Sequence, residues 1–330
     1  MNVLITGGTG FLGKQLALTL QACGDKVTVT GRNAVIGAQL EAVGLRFVQA
    51  DLRDEEAIAA VCAGQDCVFH CGAFSSPWGN AQTFYDVNVL GTRHVVQGCL
   101  THGVHRLVHV STSAVYFAYT DQRQIPESQP FPPPVNAYAK TKQLAEKEIV
   151  KGHQQGLSTL VIRPRGIFGP GDTALLPRLL KASDRTGIPL IRQGRAMVDI
   201  TYVDNVVTAL RLAQEAPDVL SGRAYNITNA EPKPLIELLQ AVSEQLGCGL
   251  KFKSLPFPVA YSIATAMEGA AKLFSLSEPP LTRYTVGLMA FSQTLCIDAA
   301  IADLKYSPQV TLAAGIAKFS HWWKQQDDIR

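Results

Sequence analysis

The sequence has no C-x-x-C pair, no block of five or six like charges and no apolar stretch as long as a bilayer is thick. Each absence removes a class of function. The seven cysteines (Cys23, Cys62, Cys67, Cys71, Cys99, Cys248 and Cys296) are odd in number, and Cys67 and Cys71 sit in an apolar, strand-like run. That is the usage of buried free thiols in a reducing compartment rather than of a disulfide framework, and it points to the cytoplasm. A net charge of +3, thinly spread, supplies no footprint for a phosphate backbone, so nucleic acid is not an expected partner. The longest low-charge stretch, Leu255–Met267, is shorter than the ~20 apolar residues of a spanning helix. A strand signal begins directly after Met1, so no secretory signal is expected. Histidines are scattered over strands and helix ends in no ligand spacing, and no metal is expected.

With 47% hydrophobic and 17% charged residues in 330, the chain has material for a large core. Strand signals at Asn2–Thr6, Lys26–Thr30, Arg46–Gln49, Asp66–His70, Leu107–Ser111 and Thr159–Arg163 are separated by helical patterns. Among these are Phe11–Ala22, Phe84–His102 and Ala137–Lys151. Such alternation predicts right-handed βαβ units: an α/β, Rossmann-type, doubly wound parallel sheet with a smaller C-terminal substrate-binding lobe. We expect residues 1–172 to form the dinucleotide-binding domain and 173–330 mainly the lobe. Residues 197–228 return to the sheet through a strand at Ala224–Ile227.

Between the first strand and helix lies Thr6-Gly7-Gly8-Thr9-Gly10-Phe11-Leu12-Gly13. Glycines there allow a tight turn, let N–H groups approach a pyrophosphate and let helix and strand pack closely. Gly7, Thr9, Gly10, Phe11, Leu12 and Gly13 are therefore candidate cofactor residues. No acid follows the second strand to bind a ribose 2′-OH. Arg32 stands there instead and suits a 2′-phosphate, so NADP(H) is expected over NAD(H), with a solvated loop arginine as the alternative. Asp51, at the end of the third strand, is either an acceptor for the adenine amino group or an exposed turn residue.

Tyr138 and Lys142 stand four apart at the start of a helix and so share a face. A nearby ammonium is expected to lower the tyrosine pKa toward working pH, making Tyr138 a proton donor or acceptor. Ser111-Thr112-Ser113 closes a core strand, and a hydroxyl there can bind a carbonyl oxygen.

Taken with Val68–Ala73, Asn88-Val89-Leu90-Gly91-Thr92, Ser111–Tyr116 and Arg163–Asp172, these motifs resemble the extended short-chain dehydrogenase/reductase family, in its order and over most of the chain. The resemblance implies that Thr112 orients the carbonyl oxygen, with Ser111 and Ser113 as alternatives. It implies that Lys142 also holds the nicotinamide ribose, and that Leu52, the Cys71-Gly72-Ala73 turn and Pro164 lie along the dinucleotide. Asn88 is expected to anchor its helix. The helices Phe84–His102 and Ala137–Lys151 resemble a four-helix homodimer interface.

Two features bear on the substrate. Sugar-nucleotide members carry an arginine where this chain has Val198, before Asp199, although Arg192 or Arg195 could replace it. Pro256–Phe274 is apolar, suited to lining a greasy pocket, resting on a membrane or simply packing the lobe. Glu278–Tyr284, Leu304–Pro308 and Trp322-Trp323 resemble the 3β-hydroxysteroid dehydrogenase / 2-alkyl-3-oxoalkanoate reductase branch. Hydride transfer at a 3-hydroxy/3-oxo group of an apolar substrate is the resulting expectation. The alternatives are a nucleotide-sugar epimerase/dehydratase and a non-catalytic NADP-sensing protein.

Overall fold

Short runs such as Asn-Val-Leu-Ile-Thr, with Val3, Leu4 and Ile5 all fully buried, cannot satisfy both apolar faces except inside a covered sheet. The computed structural model describes residues 1–247, 249–274 and 276–327, so Cys248 lies outside it. It places seven such runs in one parallel sheet: β1 (Asn2–Thr6), β2 (Lys26–Gly31), β3 (Arg46–Gln49), β4 (Cys67–His70), β5 (Arg106–Val110), β6 (Ser158–Pro164) and β7 (Ala224–Ile227). Their order is β7-β6-β5-β4-β1-β2-β3. The chain reverses direction across the sheet between β1 and β4, which opens the ligand crevice of this architecture.

Alternate strand residues feed opposite cores. Val3 and Ile5 join Leu16, Leu20, Val206 and Leu210 on one face. Leu4 and Val68 join Ile58, Val95 and Cys99 on the other. The C-terminal helices Leu176–Arg185, Leu235–Leu246 and Leu312–Asp327 share a further core with Phe168, Val198 and Tyr202. A knot of buried amides ties this part to the sheet. Asn205 donates to Asn229 (2.8 Å) and to the Val310 carbonyl (2.8 Å), and its Oδ1 accepts from the Gln309 and Val310 N–H groups. Asn229 also donates to Val310 and accepts from Tyr202 N–H.

The structure departs from the sequence reading in two places. The helix expected over Phe84–His102 is a composite. An α-turn, Ala81–Tyr85, runs into a π-helical turn, Asp86–Leu90, before α-helix resumes at Gly91–Thr101. A Cβ on Gly91 would lie 2.8 Å from that of Leu52, so close packing against Leu52 requires the glycine. Two short helices, Ala34–Glu41 and Glu55–Cys62, escape the periodicity reading, although Asn33 and Asp54 cap them. The apolar Pro256–Phe274 segment forms a helix, Phe257–Leu273, that packs through Ala260, Ala264 and Ala271 while Val259, Ile263 and Met267 face outward. Among the described residues no helix is long and apolar enough to cross a membrane, and the six described cysteines are free.

Candidate active site

The glycine loop leaves β1 at the crevice. Gly7 has φ +68°, and a Cβ there would come 2.5 Å from the Gly72 Cα. At Gly13 it would come 2.4 Å from the Gly7 carbonyl oxygen. Both positions exclude side chains so that the two turns can touch. No side chain caps the Phe11–Ala22 helix at Gly10, so its first-turn N–H groups remain available to an anion. A cleft of ≈ 210 Å³ opens beside them. Of the expected cofactor residues it is lined by Gly7, Thr9, Gly10, Arg32, Asp51, Leu52, Cys71, Gly72 and Ala73. Thr30, Gly31, Ala50 and Val87 complete it and had no sequence signal beyond their neighbours. Phe11, Leu12, Gly13, Tyr138, Lys142 and Pro164 do not line this cleft. The side chains of Phe11 and Leu12 turn onto the C-terminal core.

At the β2–β3 end, Asp51 is occupied. It accepts from the Arg53 N–H (3.0 Å) and from its guanidinium (3.0 and 2.7 Å), and that bonding holds its carboxyl below the usual range. Arg32 is exposed, and its guanidinium makes no hydrogen bond or ion pair among the described residues, although its charge reaches Asp51; its carbonyl accepts from Gln49. An unpaired guanidinium at the mouth of a dinucleotide cleft fits a 2′-phosphate. The residues present therefore fit a nicotinamide dinucleotide: a cradle that any Cβ would fill, an uncapped helix start and a free cation.

Tyr138 opens the Ala137–Gln154 helix, which Asn136 caps through Ala139 N–H (2.8 Å). Its hydroxyl lies near those of Ser75 and Thr112, which act on its titration, so the expected tyrosine and threonine come together with a serine from the loop after β4. Thr112 also caps the turn Ser113–Tyr116 through Ala114 N–H (3.2 Å). Ser111, by contrast, is committed to Glu146.

Lys142 departs from expectation. Its ammonium donates to the Val110 carbonyl (2.8 Å) and lies 3.1 Å from His109 Nε2 rather than acting on Tyr138. Burial pushes Lys142 down to about 8 against the opposing pull of Glu146. The Tyr138 phenol is raised rather than lowered, because burial outweighs the opposing influence of Ser75 and Thr112. His109, held neutral by burial and by Lys142, has no partner for Nδ1. His70 beside it bridges Thr6 (2.7 Å) and Thr92 (2.9 Å). Asn88 holds the loop before Ser75, accepting from Phe74 N–H (2.7 Å) and donating to Thr141 (3.1 Å).

Beyond Tyr138 the walls are aromatic. Phe117 meets Tyr284 edge-on at 5.3 Å, and Tyr119 meets Tyr261 at 5.6 Å. Val198 points into core rather than cleft. Arg192 is paired with Asp121 (2.9 Å) and the Ala290 carbonyl, so it is not free to take the place of a diphosphate clamp.

Residues 3–228 match the model of the NAD dependent epimerase/dehydratase family. The whole chain is 39% identical to the uncharacterized protein YbjS of Escherichia coli (strain K12), over 99% of that protein. It is 34% identical, over 96% of itself and 98% of the relative, to a 2-alkyl-3-oxoalkanoate reductase of Stenotrophomonas maltophilia (strain K279a). Among solved structures, dTDP-glucose 4,6-dehydratase DesIV of Streptomyces venezuelae, with NAD bound, superposes with a TM-score of 0.80 at 25% identity. That match covers 100% of this chain and 98% of the dehydratase.

Proposed function

Because the chain belongs to the NAD dependent epimerase/dehydratase family, in its extended short-chain dehydrogenase/reductase branch, and is an enzyme acting on CH–OH and C=O groups, we propose a specific reaction for it. It moves hydride at a 3-hydroxy/3-oxo group of an apolar substrate, with NADP(H) preferred. The observation that carries this reading is the Tyr138 hydroxyl, set near Thr112 and facing aromatic walls. A bound nicotinamide supplies or accepts the hydride. Thr112 and Ser75 donate to the substrate oxygen and fix its position. Tyr138 is the acid in reduction, a role suited to a phenol that burial keeps protonated. Lys142, anchored on Val110, presents a cation to the same strand end and is placed to hold ribose hydroxyls. Arg32 takes the 2′-phosphate.

Two observations support an apolar substrate over a sugar nucleotide: Val198 stands where an arginine would clamp the diphosphate, and Arg192 is engaged elsewhere. The epimerase/dehydratase reading draws on the solved neighbours, several of which hold nucleotide sugars. The test is NADPH and NADH oxidation against a long-chain 2-alkyl-3-oxo acid, a 3-oxo steroid and a UDP-sugar. Turnover of an apolar ketone, faster with NADPH, is expected. Tightly held NAD with a sugar converted and no net oxidation would reject the proposal.

A further inference from the structure

We propose that Arg165 binds a carboxylate, so that the substrate is an apolar acid whose charged group lies near the reacting carbon; this rests on the oxidoreductase reading above. Among the described residues three arginines are more than nine-tenths buried: Arg106, Arg163 and Arg165. Two are fully engaged. Arg106 donates to the carbonyls of Gln214 and Ala216 and to Asp218. Arg163 makes a two-bond pair with Glu146 (3.0 and 2.6 Å) and donates to Tyr116 and the Glu127 carbonyl.

Arg165 donates once, from Nε to the Gln293 carbonyl (3.2 Å), and no carboxylate among the described residues comes within ion-pair distance of it. Asp199, whose field reaches it, accepts instead from Leu295 N–H (2.9 Å). A guanidinium carries five donors in a planar fork; the side chain is largely withdrawn from solvent, yet its two terminal nitrogens, which have no protein acceptor, are not sealed off and stay open to a ligand. What the chain withholds, a ligand can supply.

Its place in the fold selects the ligand. Arg165 follows Pro164, the last residue of β6, at the carboxyl edge where the glycine loop and Tyr138 converge. Gln293, whose carbonyl takes the Arg165 bond, donates its own amide to the Ser113 carbonyl, next to Thr112 (3.2 Å). Its Oε1 is buried without a partner. The Arg165 charge and the Tyr138 hydroxyl both act on the Tyr284 phenol, so the three groups share one neighbourhood. A guanidinium near Tyr284, whose ring Phe117 meets edge-on, fits a carboxylate on an apolar skeleton, held two-pronged. A nucleotide diphosphate calls for more charge than this wall carries.

The test uses the full chain with NADP⁺, reading NADPH formed from a 2-alkyl-3-hydroxy acid and from its methyl ester. The ester keeps the skeleton and removes the charge. The wild type is expected to favour the acid about thirtyfold or more in kcat/KM, and Arg165→Met to erase that preference, with the loss falling on the acid. Arg165→Lys, with the charge but not the fork, recovers part of it. Equal use of acid and ester by the wild type, or an equal loss for both in Arg165→Met, overturns the inference and leaves the oxidoreductase reading standing. Turnover of neither compound sinks that reading itself. Should Arg165→Met not fold, an undiminished preference in Arg165→Lys rejects the inference.

Discussion

The two ends of the crevice are built from different materials. At the nucleotide end the contacts come from backbone: Gly7, Gly10 and Gly13 strip away side chains so that N–H groups and a helix start can meet an anion. At the proposed substrate end the candidate groups are side chains drawn from distant segments: Ser75 after β4, Thr112 after β5, Tyr138 on a helix, Arg165 after β6 and Tyr284 far along the chain. The first arrangement fixes a cofactor through shape and dipole. The second can be rewritten one residue at a time, and this is how one sheet serves many substrates.

Single changes that harm one end and spare the other sharpen the contrast. Tyr138→Phe is the most severe: kcat should fall by about a thousandfold or more while NADPH affinity, read by fluorescence titration, stays within a factor of a few. Joint loss of both would erase the distinction between the ends. Gly7→Ala attacks the other end, forcing a side chain into φ +68° and 2.5 Å from Gly72. The same titration should show NADPH binding weakened about a hundredfold. Arg32→Ala should weaken NADPH about tenfold and leave NADH unchanged; equal effects on both would assign Arg32 to the solvated loop.

The effect at Lys142 falls on stability rather than on binding or turnover. Its pKa in the folded chain, about 8, lies below the ordinary 10.5, so between those values the unfolded chain binds the extra proton. Stability therefore rises with pH across that window, by up to ~1.4 kcal/mol per pH unit. Denaturant unfolding at several pH values should show this rise in the wild type and its absence in Lys142→Met.

The sequence exposed these two ends unequally. The glycine loop is readable because backbone recognition leaves glycine at fixed spacing, and the strand order follows from βαβ alternation. Tyr138 and Lys142 are readable as a pair, yet the sequence assigns the lysine's charge to the tyrosine, whereas Val110 and His109 receive it. Those partners sit on β5, and no spacing rule links a strand to a helix thirty residues on. Ser75 follows no motif at all. The π-helical turn at Asp86–Leu90 is invisible to a periodicity of 3.6 residues. Arg163 and Arg165 look alike in Arg-Pro-Arg, and only the folded chain shows that Glu146 pairs with one whereas the other has a single carbonyl and no carboxylate at ion-pair distance among the described residues.

The amide knot at Asn205 and Asn229 carries a consequence for the order of synthesis. Both asparagines emerge from the ribosome well before Gln309 and Val310, the residues that complete their hydrogen bonds. Until then the two amides are short of partners that burial demands. The parallel sheet can assemble early, but the junction between sheet and C-terminal helices cannot close until Gln309 and Val310 have been translated. A ribosome paused just short of that point holds a nascent chain with a finished nucleotide cradle and an open seam.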